Sequence, residues 1–326
     1  MVKDFISIAD LSRDETEKLL DAACDLKERL ARGISYRPLD GQTLALIFEK
    51  PSLRTRVTFE TGMFQLGGNS IYLTPEQIKL GVRESVADCA RNLERWVDGI
   101  VARTFSHETV IELAQNSRKP VINGLTDKLH PCQIMADLMT IKEKLGRIED
   151  FTLAFVGDGN NVANSWANAA TKLAFSLRIA TPSGYEPDRE IFDQAKLAGG
   201  DRIVLTHDPK EAVRDADLVY TDVWASMGQE DEAEQRKKLF KSYQVNSGLL
   251  KYAKRDAAVM HCLPAHRGEE ITSEVLDGPN SVVYDQAENR LHVQKAIMVA
   301  LMRKKKEERK RAAVMTLEGK NAGDNQ

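Results

Sequence analysis

Short apolar runs alternate with amphipathic segments along most of the chain, a rhythm typical of parallel β-strands covered by helices. In the first half, the runs TLALIF, SIYL, GIVAR and PVIN predict strands, and the segments HETVIELAQNS and QIMADLMTIKEKLG repeat their apolar residues with a helical period. Nearer the N-terminus, Ser12 and Glu15 form a capping-box pattern that begins a helix, and Gly33 is placed to end it. The apolar face predicted for that helix holds Leu19, Leu20, Ala23, Leu26 and Leu30.

A second series of strands begins at FTLAFVGDGNN (151–161) and continues through LRIATP, RIVLTHD, DLVYTDVW and AAVMHCLP. The polar, glycine-containing segment GRIED (146–150) separates the two series and is the best candidate for a domain boundary. The pattern predicts the α/β class, with two doubly wound parallel-sheet domains and an active-site cleft between them. We expect domains at 1–147 and 148–288, a long helix from about Asn289 to about residue 317 that completes the first domain, and a disordered tail at 318–326.

The composition argues against several classes of protein. A chain of 326 residues suits two domains, and a formal net charge of −3 creates no global attraction to nucleic acid or to a membrane surface. No apolar run reaches the ~18 residues needed to span a bilayer, and the N-terminus has no apolar signal core. We therefore expect a cytoplasmic protein that binds neither nucleic acid nor a membrane. The basic run RKKKEERKR (303–311) is interpreted as a solvated helix end rather than a partner site.

The chain has four cysteines, which lie far apart and form no CxxC pair: Cys24, Cys89, Cys132 and Cys262. This spacing favours reduced thiols in a cytoplasm. It argues against both a disulfide framework and a zinc site, so no metal is expected.

Polar clusters follow several predicted strands, at the edge where open parallel sheets bind their ligands. SLRTR comes after the strand TLALIF and opens a helix, so Ser52, Arg54 and Thr55 would add donors to an N-terminus that already favours anions. Arg54 can grip a phosphate with two hydrogen bonds. An ordinary helix cap with surface arginines explains the same stretch equally well.

Two further clusters lie after neighbouring strands of the first half. Arg103 ends GIVAR, and HPCQ follows PVIN and opens a helix on which His130 and Gln133 are one turn apart. A lone histidine is more often a satisfied cap or core residue than a ligand. Its position at a second helix N-terminus favours a functional role here.

The second half offers three more clusters. GDGNN resembles a dinucleotide loop only weakly, because Val162 stands where a third glycine belongs, so Asn160 and Asn161 are interpreted as polar groups at a strand-to-helix turn. DVWASMG places Asp222 at a strand end, and its carboxylate together with later backbone donors would suit a zwitterionic amino acid; a simple helix cap is the alternative. In HCLPAHRG, Cys262 follows a buried strand, where an inert thiol is the default, but its place between His261 and Pro264 at a strand end favours a functional role.

Taken together, SLRTR, HPCQ, DVWASMG and HCLP closely resemble the aspartate/ornithine carbamoyltransferase family from about residue 11 to residue 302. The last two motifs mark its ornithine branch. The resemblance implies transfer of the carbamoyl group of carbamoyl phosphate to the δ-amine of L-ornithine, without a metal or an organic cofactor. It also implies a homotrimer or a higher assembly of trimers.

The resemblance carries over to individual residues. Carbamoyl phosphate would be held by Ser52, Leu53, Arg54, Thr55, Lys79, Arg103, His130, Gln133, Cys262, Leu263 and Arg290, with Lys79 reaching the site of a neighbouring subunit. Ornithine would be held by Asn161, Asp222, Ser226 and Met227. The catalytic residues would be Arg103, His130, Cys262 and Asp222. Leu53 departs from the family, which often has threonine there, so it would contribute only its main chain.

Two alternatives stay open at this stage. The same chemistry could use another amine acceptor, such as putrescine or lysine, or the chain could be a catalytically silent homologue. The intact SMG stretch argues against the first alternative, and the intact SLRTR and HPCQ stretches, with Arg103 and Cys262, argue against the second.

Overall fold

The computed structural model describes residues 2–225 and 232–303. It confirms two α/β units, each built on a wholly parallel sheet. The first sheet consists of β1 (Thr43–Phe48), β2 (Asn69–Leu73), β3 (Gly99–Arg103) and β4 (Val121–Leu125), in the order β2-β1-β3-β4. The second consists of β5 (Thr152–Val156), β6 (Ser176–Ala180), β7 (Ile203–Thr206), β8 (Leu218–Thr221) and β9 (Ala258–His261), in the order β7-β6-β5-β8-β9.

Helices connect the strands and cover the sheets. In the described residues they are α1 (Arg13–Ala31), α2 (Leu53–Gln65), α3 (Pro75–Ile78), α4 (Val86–Trp96), α5 (His107–Asn116), α6 (Pro131–Leu145), α7 (Asn161–Ala170), α8 (Arg189–Gly199), α9 (Pro209–Val213), α10 (Ala233–Leu239), α11 (Ser247–Leu250), α12 (Ser273–Leu276) and α13 (Val283–Met302). No helix in this part of the chain is long and apolar enough to cross a membrane.

The predicted capping box is confirmed, because the Ser12 side chain accepts the Glu15 N–H and the Glu15 carboxylate accepts the Ser12 N–H. Four of the five residues predicted on the apolar face of α1 are buried. Leu30 is not; it is 43% exposed in the last turn of the helix, beyond the surface that α1 covers.

The last helix begins earlier than expected, at Val283 instead of near Asn289. It packs against α1, α2 and α6, on the side of the first sheet. The helix ends at Met302, and Arg303 after it has an extended backbone; residues 304–317 of the expected continuation, with the rest of the basic run, and the tail at 318–326 lie outside the described residues. The polar segment at 146–150 falls between α6 and β5, where Gly146 ends α6 in the left-handed conformation. The division into domains at this point stays a prediction.

The strand orders explain where a ligand can bind. In each sheet the order in which successive strands are added reverses once. The reversal lies between β1 and β3 in the first sheet and between β5 and β8 in the second. Loops that leave the carboxyl ends of such a strand pair diverge and leave a crevice. The register of β1 and β3 places Arg103 beside Phe48, and Phe48 is four residues before Ser52. The polar clusters of both halves therefore lie at these crevices.

Candidate active site

Loops from both sheets line one open cleft of about 1150 Å³. Ten of the residues predicted for the site lie on it: Ser52, Arg54, Thr55, Arg103, His130, Asn161, Asp222, Cys262, Leu263 and Arg290. Three others, Leu53, Lys79 and Gln133, do not line it. Ser226 and Met227 lie outside the described residues.

Three arginines dominate one end of the cleft. Arg54 lies in the first turn of α2, which Ser52 caps by accepting the Thr55 N–H at 3.3 Å. Arg103 ends β3, and Arg290 projects from α13. Among the described residues, no carboxylate lies within ion-pair distance of any of the three.

The charges of these arginines persist despite their burial. Desolvation by burial, followed by the charge of Arg290, lowers the pKa of Arg103 to about 10, which still leaves it cationic at neutral pH. Burial likewise lowers the pKa of Arg54 and of Arg290. Charges that are removed from water are normally paired with an opposite charge. These arginines have no carboxylate partner among the described residues, so this end of the cleft suits a bound anion.

Arg290 is held in place by two neutral partners. One terminal nitrogen donates to Gln133 Oε1 at 2.7 Å and the other donates to Thr55 Oγ1 at 2.9 Å. Gln133 therefore lies directly behind Arg290, almost fully buried, instead of on the cleft wall.

His130 precedes Pro131 at the N-terminus of α6, and its backbone N–H donates to Ser165 Oγ at 2.7 Å. Burial, followed by the charges of Arg290, Arg103 and Arg54, lowers the pKa of His130 well below its ordinary value. The imidazole is therefore neutral at physiological pH. A neutral ring offers one N–H donor and one acceptor, which suits a hydrogen bond to an oxygen without adding a further charge.

The opposite side of the cleft centres on the carboxylate of Asp222. Its Oδ1 accepts the Cys262 thiol hydrogen at an Sγ–O distance of 2.9 Å, and its Oδ2 accepts from Asn160 Nδ2 at 2.8 Å. Burial, then the charge of Asp222, raises the pKa of Cys262 well above its ordinary value. Cys262 is thus a neutral thiol in this arrangement. Asn161, the next residue, donates from Nδ2 to the Thr126 carbonyl at 2.6 Å.

Two residues of the cleft escaped the sequence analysis. Asn160 was interpreted only as a turn residue, although its side chain both caps α7 and holds Asp222. Arg236 on α10 is buried and pairs with Asp158 at 3.1 Å, while it donates to the Trp224 carbonyl at 2.9 Å. Its sequence context, EQRKKL, is that of a solvated charged helix and gives no signal for burial.

Leu53 and Lys79 are both exposed, and neither lines the cleft of its own chain. Leu53 is 76% exposed at the first position of α2. Lys79 is exposed at the end of α3, in the left-handed conformation with φ of 41°. Any role for Lys79 must therefore involve another molecule or a different conformation.

The fold assembles a cluster of possible metal-ligating residues that the cysteine spacing did not indicate. Ligand atoms of Asp222, His261 and Cys262 lie within 4.8 Å of one another, a group that could hold a metal ion. Both ring nitrogens of His261 already have partners, since Nδ1 accepts the Leu263 N–H at 2.9 Å and Nε2 lies 3.1 Å from Glu270 Oε1. His261 could bind a metal ion only if one of these two contacts were broken.

Two family models match the chain in succession. The model described as aspartate/ornithine carbamoyltransferase, carbamoyl-P binding domain, matches residues 3–143. The model described as aspartate/ornithine carbamoyltransferase, Asp/Orn binding domain, matches residues 149–301.

Whole-chain comparisons point the same way. The sequence is 55% identical over 302 residues to an ornithine carbamoyltransferase of Syntrophus aciditrophicus, across 93% of this chain and 100% of that protein. It is 53% identical over 303 residues to one of Thermococcus kodakarensis, across 92% of this chain and 96% of that protein. The structure is similar to an ornithine carbamoyltransferase from Pyrococcus furiosus, with a TM-score of 0.89 and 51% identity over 92% of this chain and 97% of that chain.

Proposed function

The chain belongs to the aspartate/ornithine carbamoyltransferase family, and from this premise we propose that it transfers the carbamoyl group of carbamoyl phosphate to the δ-amine of L-ornithine, giving L-citrulline and phosphate. The observation that carries the proposal is the cleft itself. Three arginines have no carboxylate partner in the described residues and share the cleft with the Asp222–Cys262 pair; Arg103 and Arg290 are buried, and Arg54 is half-buried. The first group suits a phosphate and the second an ammonium group.

Carbamoyl phosphate would lie at the N-terminus of α2. Ser52, Arg54, Thr55 and the main chain of Leu53 would surround the phosphate, since a helix N-terminus and its dipole favour negative charge. Arg103, His130, Gln133, Arg290, Cys262 and the Leu263 carbonyl would complete the carbamoyl end.

The reaction then needs charge stabilisation more than acid–base chemistry. Attack of the amine on the carbamoyl carbon forms a tetrahedral intermediate whose oxygen becomes negative. Arg103, the neutral His130 and Thr55 would donate to that oxygen, and Arg54 with the α2 dipole would take up the charge of the departing phosphate. The Leu263 carbonyl would orient the carbamoyl NH₂, and Gln133 would act on the site through Arg290, which it holds.

Ornithine would bind from the second sheet. Asp222 would accept its α-ammonium group, helped by Asn161, and the Ser226–Met227 stretch would donate to its carboxylate. The attacking δ-amine must be neutral, whereas a free alkylamine has a pKa near ~10. A cationic, desolvated cleft lowers that value, and the leaving phosphate can accept the proton. Cys262 would lie beside the reacting centre as a neutral donor.

The acceptor is tested by a panel of amines. Purified protein would be assayed for carbamoyl transfer from carbamoyl phosphate to ornithine, putrescine and lysine. We expect ornithine to have the highest kcat/KM by orders of magnitude, since putrescine lacks the carboxylate and loses a designed polar contact. Comparable kcat/KM for putrescine would reassign the acceptor, and no transfer to any amine would favour a silent homologue.

We also propose a homotrimer, or a higher assembly of trimers, with active sites shared between subunits. Leu53, Val57 and Phe64 are exposed along α2 by 76%, 48% and 75%, and Ile71 is 46% exposed on the edge strand β2. An apolar surface of this kind favours burial against a second copy. Lys79 is exposed nearby in sequence and would reach the phosphate of the neighbouring subunit.

The compartment proposed is the cytoplasm. All four cysteines are free thiols, two of them buried. Free thiols suit a reducing compartment.

A further inference from the structure

Asp137 is a fully buried carboxylate that lies one helical turn after Gln133 on α6 and does not line the cleft. Its Oδ1 accepts from Gln133 Nε2 at 2.8 Å and from Gln286 Nε2 at 2.7 Å. Gln286 comes from α13, and its Nε2 also lies 3.0 Å from the hydroxyl of Tyr220 on β8. Asp137 therefore occupies the junction of α6, α13 and the second sheet.

The carboxylate determines the orientation of the Gln133 amide. Oδ1 accepts from two amide NH₂ groups, so it is the acceptor oxygen of this carboxyl whether or not Oδ2 carries a proton, and it selects the NH₂ end of the Gln133 amide. Gln133 must then turn Oε1 toward the cleft, where it accepts from Arg290 at 2.7 Å. The second terminal nitrogen of Arg290 is left to donate to Thr55 Oγ1 at 2.9 Å.

The opposite orientation of the amide is incompatible with this chain of contacts. A flipped Gln133 would present its NH₂ group to the guanidinium of Arg290, which has donors only. Its oxygen would meet Oδ1 of Asp137, which has no hydrogen to donate. The orientation of Arg290 in the cleft thus depends on a carboxylate two hydrogen bonds away.

We propose that Asp137 is a positioning residue for carbamoyl transfer, which sets the Gln133 amide and through it the guanidinium of Arg290 at the anion end of the cleft. The inference rests on the proposed function for the identity of the anion. Since Gln133 Oε1 holds Arg290, one of the three arginines at the anion end of the cleft, a lost orientation would weaken carbamoyl phosphate binding. Ornithine contacts Asp222 and its neighbours, so its KM should change little.

The experiment compares Asp137→Leu with Asp137→Asn. Asparagine keeps an oxygen acceptor at the same place, whereas leucine has a similar volume and no acceptor. We expect Asp137→Leu to raise the Kd of inorganic phosphate, measured by calorimetry, and the KM of carbamoyl phosphate by roughly tenfold or more, while Asp137→Asn stays within about threefold of the wild type.

A double-mutant cycle then links the effect to Gln133. In a Gln133→Met background there is no amide to orient, so adding Asp137→Leu should change the Kd of phosphate no further. Asp137→Ala serves the same comparisons if leucine is too large for the site. The proposal is overturned if asparagine and leucine are equally damaging, if the two substitutions are additive, or if the KM of ornithine rises in parallel.

Two remaining outcomes are also decisive. If neither apolar variant folds while Asp137→Asn does, the acceptor is needed for folding and the positioning role is contradicted. If the wild type forms no citrulline, the proposed function fails, while the phosphate titrations still decide the role of Asp137.

Discussion

Cys262 donates its thiol hydrogen to Asp222, with Sγ 2.9 Å from Oδ1. The two residues follow the paired strands β8 and β9, so the sheet itself brings them together. Burial, followed by the charge of the carboxylate, raises the pKa of the thiol and keeps it protonated, and the thiol in turn donates to one oxygen of the carboxylate. This pair is the centre of the side of the cleft that we propose for ornithine.

The pair makes alkylation of Cys262 a test of its protonation state. We expect slow alkylation by iodoacetamide at pH 8 in the wild type, because the thiolate is the reactive form. Asp222→Asn should accelerate it, since the amide removes the negative charge that raises the pKa of Cys262. Mass spectrometry of the labelled peptides resolves the four cysteines, and Asp201→Asn on the exposed surface is the matched control. Fast labelling of wild-type Cys262 would contradict the neutral thiol.

Arg54 and Asp222 should separate the two substrates. Arg54→Ala should weaken carbamoyl phosphate binding and also lower kcat, because the phosphate gains charge as it leaves. Asp222→Asn should impair the use of ornithine and leave carbamoyl phosphate binding nearly intact. Calorimetry with carbamoyl phosphate on both variants checks this division. Loss of carbamoyl phosphate binding in Asp222→Asn would show that the halves of the cleft are wrongly assigned.

Asp137 should make stability depend on pH in an unusual direction. Burial raises the pKa of its carboxyl to about 7. The pKa of an aspartate in the unfolded chain is about 4. Between about pH 4 and pH 7 the native state therefore binds more protons than the unfolded state, so the free energy of unfolding falls as the pH rises. Asp137→Asn cannot ionise. We expect it to exceed the wild type in free energy of unfolding by roughly 1–4 kcal/mol at pH 8, and by much less at pH 5.

Urea unfolding at one fixed protein concentration measures this difference. Comparison with the wild type at each pH cancels the other titrating groups, including Asp158, whose pKa burial raises to about 6. An equal gain at pH 5 and pH 8 would mean that the substitution acts through packing and not through the charge.

Sharing of active sites predicts that two inactive variants rescue each other. Lys79→Ala and Arg54→Ala should damage the same site from opposite chains, so each mixed cyclic trimer contains one interface with both residues intact. With equal random mixing, roughly three quarters of trimers are mixed and about one third of their sites are whole, so about a quarter of wild-type activity should return. Mass spectrometry must confirm the mixed trimers. No recovery would remove Lys79 from the neighbour's site.

The strands could be predicted because strands buried on both faces are continuous apolar runs, as in TLALIF and GIVAR. Nine of the ten predicted residues that line the cleft end or follow a strand or open a helix there, whereas Arg290 lies within α13 and was predicted only from the family resemblance. The start of α13 was placed too late because Val282 caps the helix without a side-chain hydrogen bond, so the sequence carries no signal at that point.

The contacts that orient the site could not be predicted. Asn160 donates a hydrogen bond to Asp222, which lies 62 residues later in the sequence. Gln286 donates one to Asp137, which lies 149 residues earlier. Neither pair follows from periodicity or capping, because both arise only when α7, α13 and the sheets pack. Gln133 illustrates the limit: the helical spacing places it near His130, but packing turns it behind Arg290.

The central claim is tested most directly by following the carbon of ¹³C-labelled carbamoyl phosphate by NMR in the presence of the wild-type protein and L-ornithine. The account predicts that the carbamoyl signal is replaced by the ureido signal of citrulline, with one phosphate released for each citrulline formed. The account would be contradicted if carbamoyl phosphate decayed no faster with the protein than without it, or if the label appeared in bicarbonate instead of citrulline.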